Sequence, residues 1–194
     1  MHLIKRLSAL AALIAVLAVS VSCGGEHKEL RPFSDALGAA SPRTAALHSE
    51  IDTELGKFGT DYAASYSGDT VTVEYTRNTV GIIGPETEED DIFSTEHGTA
   101  VINADGTVTG ELGALARSLL TLGITLDGDA IAYEVRESTL DFTVAGESTE
   151  RVFGVNIGYP VAVTLRLEGD AVASITLTYT ASSGGATVVC EYSY

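Results

Sequence analysis

From Tyr62 to the C-terminus, apolar side chains recur at every second residue. The runs are Tyr62-Ala64-Tyr66, Val71-Val73-Tyr75, Ile131-Tyr133-Val135, Leu140-Phe142-Val144, Val161-Val163-Leu165-Leu167, Ile175-Leu177-Tyr179 and Val188-Cys190-Tyr192. Successive side chains of a strand point to opposite faces, so this pattern builds sheets with one buried and one wetted face, the antiparallel arrangement. Short Gly- and Asp-rich segments separate the runs: Ser67-Gly68-Asp69, Asp127-Gly128-Asp129, Ala145-Gly146-Glu147, Glu168-Gly169-Asp170 and Ser182-Ser183-Gly184-Gly185. Their chemistry is that of hairpin turns, and the C-terminal half reads as a meander. Residues 126–132 and 167–173 resemble each other closely, with a weaker copy at 68–71. Repeated use of one turn recipe accounts for this, with an internal duplication as the alternative.

Two helices are expected against the sheet. Ser41 suits an N-cap and Pro42 a first helical position, and Leu47, Ile51, Leu55 and Phe58 follow at helical spacing. These signals predict a helix over 42–57, ended by Gly56 or Gly59. Leu112, Leu115, Ala116, Leu119 and Leu122 share a second helical face over 111–122, stopped by Gly123. The fold class is therefore α+β: one domain, a twisted or curled antiparallel sheet of about eight to ten strands with two packed helices. A two-sheet sandwich is the alternative.

The N-terminus follows another logic. Lys5 and Arg6 precede an uncharged apolar run of 15 residues, Leu7 to Val21, which ends at Ser22-Cys23-Gly24-Gly25. A basic head before such a run is the layout of a secretory signal. As a helix the run covers roughly 22 Å, short of the ~30 Å hydrocarbon core of a bilayer. Small residues ending in Cys23 resemble the lipobox of bacterial lipoproteins, although Ser20 stands where a Leu-like residue is usual. The resemblance implies removal of residues 1–22, lipid on the Cys23 thiol and an exported, membrane-anchored chain. Ordinary signal cleavage after Ser22 is the competing reading, and it would make a Cys23–Cys190 disulfide conceivable. Gly24, Gly25 and the polar stretch 26–31 then read as a flexible tether, which gives segments of 1–22 (signal), 23–40 (anchor and tether) and 41–194 (domain).

Removing residues 1–22 takes away Lys5 and Arg6, so 11 basic residues fall to 9 against 27 acidic ones, a net charge of −18. Such a charge repels phosphate backbones, which disfavours nucleic acid as a partner. The acidic segment Glu86, Glu88, Glu89, Asp90 and Asp91, with Glu96 beyond it, offers oxygens for calcium. It lacks the rhythm and closing Glu of a calcium loop, so a solvated loop is the stronger reading. His27, His48 and His97 have no second His or Cys at ligand spacing, and no zinc or copper site is implied. Cys190 reads as a small core residue. There is no Gly-x-Ser-x-Gly elbow, Ser-x-x-Lys pair, His-Glu-x-x-His helix or phosphate-cradling glycine loop. No cofactor is implied, and an envelope hydrolase is the reading these residues favour least. Glu74, Glu134 and Asp141 fall on the wetted side of strands.

What remains is binding. The leading expectation is a membrane-anchored extracytoplasmic module that binds another macromolecule, such as a protein, through its sheet or acidic loop. The lipoprotein signal and coarse layout also look similar to LolA/LprG-type lipoprotein carriers. That resemblance implies a small hydrophobic ligand in a sheet-enclosed cavity lined by Leu140, Phe142, Val163 and Leu165, unless those residues fill a solid core.

Overall fold

The period-two segments become strands that pair in chain order. In the computed structural model, which describes residues 27–54, 56–81, 92–181 and 184–194, the first run is β1 (Thr44–Thr53), β2 (Gly56–Ser67), β3 (Thr70–Gly81), β4 (Ile92–Ile102) and β5 (Val108–Gly110). The second is β6 (Ile131–Arg136), β7 (Thr139–Val144), β8 (Val161–Glu168), β9 (Ala171–Ala181) and β10 (Gly184–Ser193). Pairing of β1 with β10, from Thr44 opposite Ser193 to Thr53 opposite Gly184, fuses the two meanders. The result is one 10-stranded antiparallel sheet in the order β5-β4-β3-β2-β1-β10-β9-β8-β7-β6. The edge strands β5 and β6 do not pair, so the sheet is open and no sandwich forms.

Three short helices complete the α+β fold: α1 (Arg31–Ala39), α2 (Ala114–Leu120) and α3 (Thr149–Phe153). Their buried faces (Phe33, Ala36 and Leu37 from α1, Leu119 and Leu120 from α2, Val152 and Phe153 from α3) join the inward-facing strand residues in one core. β8 shows the pattern at its cleanest, with Val161, Val163, Leu165 and Leu167 buried and every residue between them exposed. Two tyrosines tie α2 to the sheet. The Tyr66 hydroxyl donates to the Leu120 carbonyl at 2.6 Å and the Tyr192 hydroxyl to the Leu119 carbonyl at 2.8 Å. These bonds add donors to carbonyls at the helix end, where Leu119 also accepts from the Leu122 N–H at 2.9 Å.

The expected helix over 42–57 is a strand. Residues 44–53 are β1, and Phe58 lies on β2 directly opposite Ile51. The four-residue apolar spacing that suggested a helix instead samples a two-residue alternation, Ala45-Leu47-Ser49-Ile51, and the next strand. The boundary at residue 41 also moves. Lys28–Leu30 is a 3-10 turn running into α1, and Leu30, Phe33, Ala36 and Leu37 are buried, so the stretch to residue 40 is part of the domain rather than tether. The helix expected over 111–122 is present as the shorter α2. Ala145-Gly146-Glu147 is not a hairpin but leads through a 3-10 turn into α3. Of the two similar segments, only 167–173 joins paired strands; 126–132 enters β6 from the α2–β6 connection.

Candidate functional site

The helices do not cover the whole inner face. Along β1 the alternation is regular through Ala45 and Leu47 and then fades, leaving Ser49 and Thr53 partly exposed and Ile51 exposed. Ile51 and Phe58, opposite one another on β1 and β2, are both 39% exposed. They are two of only four large apolar side chains exposed among the described residues, the others being Tyr159 and Tyr194. Cross-strand neighbours extend the strip on the same face. Thr79 of β3 lies beside Phe58, and Ala186 of β10 beside Ile51.

One and two layers further along these strands lie an ionic and then an aromatic pair. Tyr62 of β2 faces Tyr75 of β3 with ring centroids 6.1 Å apart, and the Arg77 guanidinium lies 5.7 Å from the Tyr75 ring centre. Arg77 Nη1 donates to Glu96 Oε2 of β4 at 3.0 Å. Opposite Tyr75 stands Gly98, where an added Cβ would fall 2.3 Å from the Tyr75 ring end. The missing side chain is the space the ring occupies. Burial pushes the Tyr62 phenol up, partly offset by the Arg77 charge, so it stays neutral and able to donate a hydrogen bond.

The outer face of the same strands is polar. A depression of about 520 Å³ lies over Asp61, Ala63, Glu74, Thr76, His97 and Thr99, with the backbone of Tyr62, Tyr75 and Gly98 as its floor. His48 Nδ1 is 2.7 Å from Asp61 Oδ1, and Thr76 Oγ1 is 3.0 Å from His97 Nδ1. A hydroxyl beside an imidazole is part of a nucleophilic site, but the rest is missing. The pair is exposed, and β2 and β3 are each paired on both sides, so their N–H groups are engaged in ladders rather than gathered as an oxyanion hole.

The other sequence candidates scatter. Cys23 and the acidic residues Glu86, Glu88, Glu89, Asp90 and Asp91 lie outside the described residues. Glu96, counted with that cluster, is engaged with Arg77 instead. Among the described residues, no group of three His, Cys, Asp or Glu side chains is placed to hold a metal ion. Asp127 caps its own turn, accepting from the Asp129 N–H at 3.0 Å, and pairs with Arg151. Glu134 is taken by Arg136 at 2.7 Å, and Asp141 accepts from Thr164 at 2.6 Å. Every buried side-chain polar atom described has a hydrogen-bond partner, so no orphaned group points to an absent ligand.

Leu140 and Leu165 are 0% exposed and Phe142 and Val163 3%. All four belong to the core cluster. A second depression, about 640 Å³, lies between α1 and the β6–β7 and β8–β9 turns, where Lys28, Arg31, Asp35, Glu137 and Asp170 mix both signs of charge. No helix among the described residues is long and apolar enough to cross a membrane.

The sequence reading missed the Ile51–Phe58 strip because it placed both residues on one helix. The signal that locates it is the alternation through Ile51 and past it, in which an apolar residue sits next to no helix that covers it. No protein-family model matches the chain, and a search of curated proteins finds no match.

Proposed function

We propose that this chain is an extracytoplasmic lipoprotein, held on a membrane by lipid on Cys23 after loss of residues 1–22, whose β-rich domain binds another protein. The anchoring half of the reading rests on the basic head, the short apolar run and the Cys that ends it. Two or more acyl chains, at ~0.8 kcal/mol per buried CH₂, hold a protein on a bilayer where one chain does not.

The binding half rests on one observation, the exposed cross-strand pair Ile51 and Phe58 at the uncovered end of the inner face. Single exposed apolar residues are ordinary, whereas adjoining ones favour a partner that covers them. Tyr62 and Arg77, partly exposed on the same face, are residue types that anchor protein interfaces. The net charge of −18 after signal removal favours a partner with a basic rim. The alternative, a carrier of a small hydrophobic ligand, has less support, since the four residues named for its cavity are buried members of the core cluster.

The test is a photo-crosslinking residue placed at Phe58 in intact cells, with the same group at Thr72 on the exposed outer face of β3 as control. A discrete adduct from position 58 alone, lost on Ile51→Asp, is the expected result. No adduct, or equal adducts from both positions, contradicts the reading.

A further inference from the structure

His27 is seated in the fold. Its ring stands edge-on to Tyr133 of β6 with centroids 5.8 Å apart, and its Nδ1 is 3.0 Å from the Tyr133 hydroxyl. Nε2 lies 3.6 Å from the Asp129 carboxylate. At Gly128 an added Cβ would fall 2.1 Å from the imidazole, so the glycine leaves the space in which the ring lies. The chain then passes directly into the 3-10 turn at Lys28–Leu30 and the buried face of α1.

Only Gly24, Gly25 and Glu26 therefore separate Cys23 from a fixed point of the domain. Fully extended chain spans at most ~3.6 Å per residue, so the Cα of His27 lies within about 14 Å of that of Cys23. A lipidated Cys23 sits at the headgroup layer. The corner made by His27, the turn at 127–130 and the start of β6 must then sit beside that layer too.

The corner mixes both signs of charge: Lys28, Arg31 and Arg151 lie among Asp35, Asp127, Asp129, Glu137 and Asp170, so its basic residues temper the repulsion that anionic headgroups exert on the acidic ones over a Debye length of about 10 Å. It also carries the free edge of β6, whose unpaired backbone groups invite strand addition unless something covers them.

We infer that the domain does not swing on a stalk but rests with its β6 corner against the bilayer surface, which leaves the β1–β4 strip on the other half of the sheet facing outward. The inference rests on lipid at Cys23. It is tested on the natively lipidated full chain in phosphatidylcholine–phosphatidylglycerol vesicles containing a headgroup-nitroxide lipid. A fluorophore is attached in turn through Asp129→Cys, Glu134→Cys, Asp69→Cys and Asp105→Cys; the native Cys190, 0% exposed, does not compete for label. Quenching several-fold stronger at positions 129 and 134 than at 69 and 105 is expected. Inserting roughly a dozen Gly and Ser residues between Glu26 and His27 should erase the difference while vesicle binding persists. Equal quenching at all four positions of a vesicle-bound parent overturns the orientation. Unchanged vesicle binding in Cys23→Ala overturns the anchor on which it rests.

Discussion

Cys190 shows how much one side chain's setting decides. Its register partners Leu47 and Ile175 lie on either side in the sheet, and it is 0% exposed. Burial pushes the thiol up to about 11 from an ordinary 9.0. At neutral pH it is therefore a protonated core residue and no nucleophile, as its place in the Val188-Cys190-Tyr192 alternation suggests. The shift has a pH consequence with a definite sign. The unfolded chain releases this proton first, so stability is unaffected below pH 9 and falls as pH rises from 9 towards 11. At ~1.4 kcal/mol per unit the loss reaches about 3 kcal/mol. Tyr192, raised by burial and by the neighbouring thiol, extends the loss to higher pH. Urea unfolding at pH 7, 9, 10 and 11 should show the decline, and Cys190→Ala should flatten it between 9 and 10, above which the tyrosines continue it. A parent curve that is flat over that range contradicts the account.

Among the elements, α1 makes the sharpest contrast between sequence and structure. Pro32 in the first turn, then Phe33, Ala36 and Leu37 at helical spacing, are the same signals sought at Pro42 and beyond. In residues 42–58 the spacing is shared by two antiparallel strands, and only pairing with β10 and β2 resolves it. The second half of β2, β3 and β6 to β10 were legible because their apolar residues alternate, whereas β4 was not, because residues 92–97 read with the acidic segment as a loop. β1 and the first half of β2 were not, because beyond Leu47 no helix among the described residues covers them and the burial pattern that alternation encodes disappears. The exposed Ile51–Phe58 strip was hidden for the same reason. Phe33 is 1% exposed. Phe33→Ala should therefore cost about 3–5 kcal/mol, measured as a shift in the denaturant midpoint at constant slope. A segment that was only tether would tolerate the change without loss.

At the scale of the whole molecule, two meanders share one open sheet, joined at β1–β10, with the helices packed over part of the inner face. Because packed residues of the domain reach back to His27, well before residue 41, the slack between the proposed anchor and the fold shrinks to a few residues. The proposed position and orientation both depend on lipid at Cys23. The intact mass of the protein extracted from the membranes of the cells that make it tests this most directly. The account predicts a chain that starts at Cys23 and carries added acyl mass on that residue. A chain that retains residues 1–22, or one that starts at Cys23 with an unmodified sulfur, contradicts it.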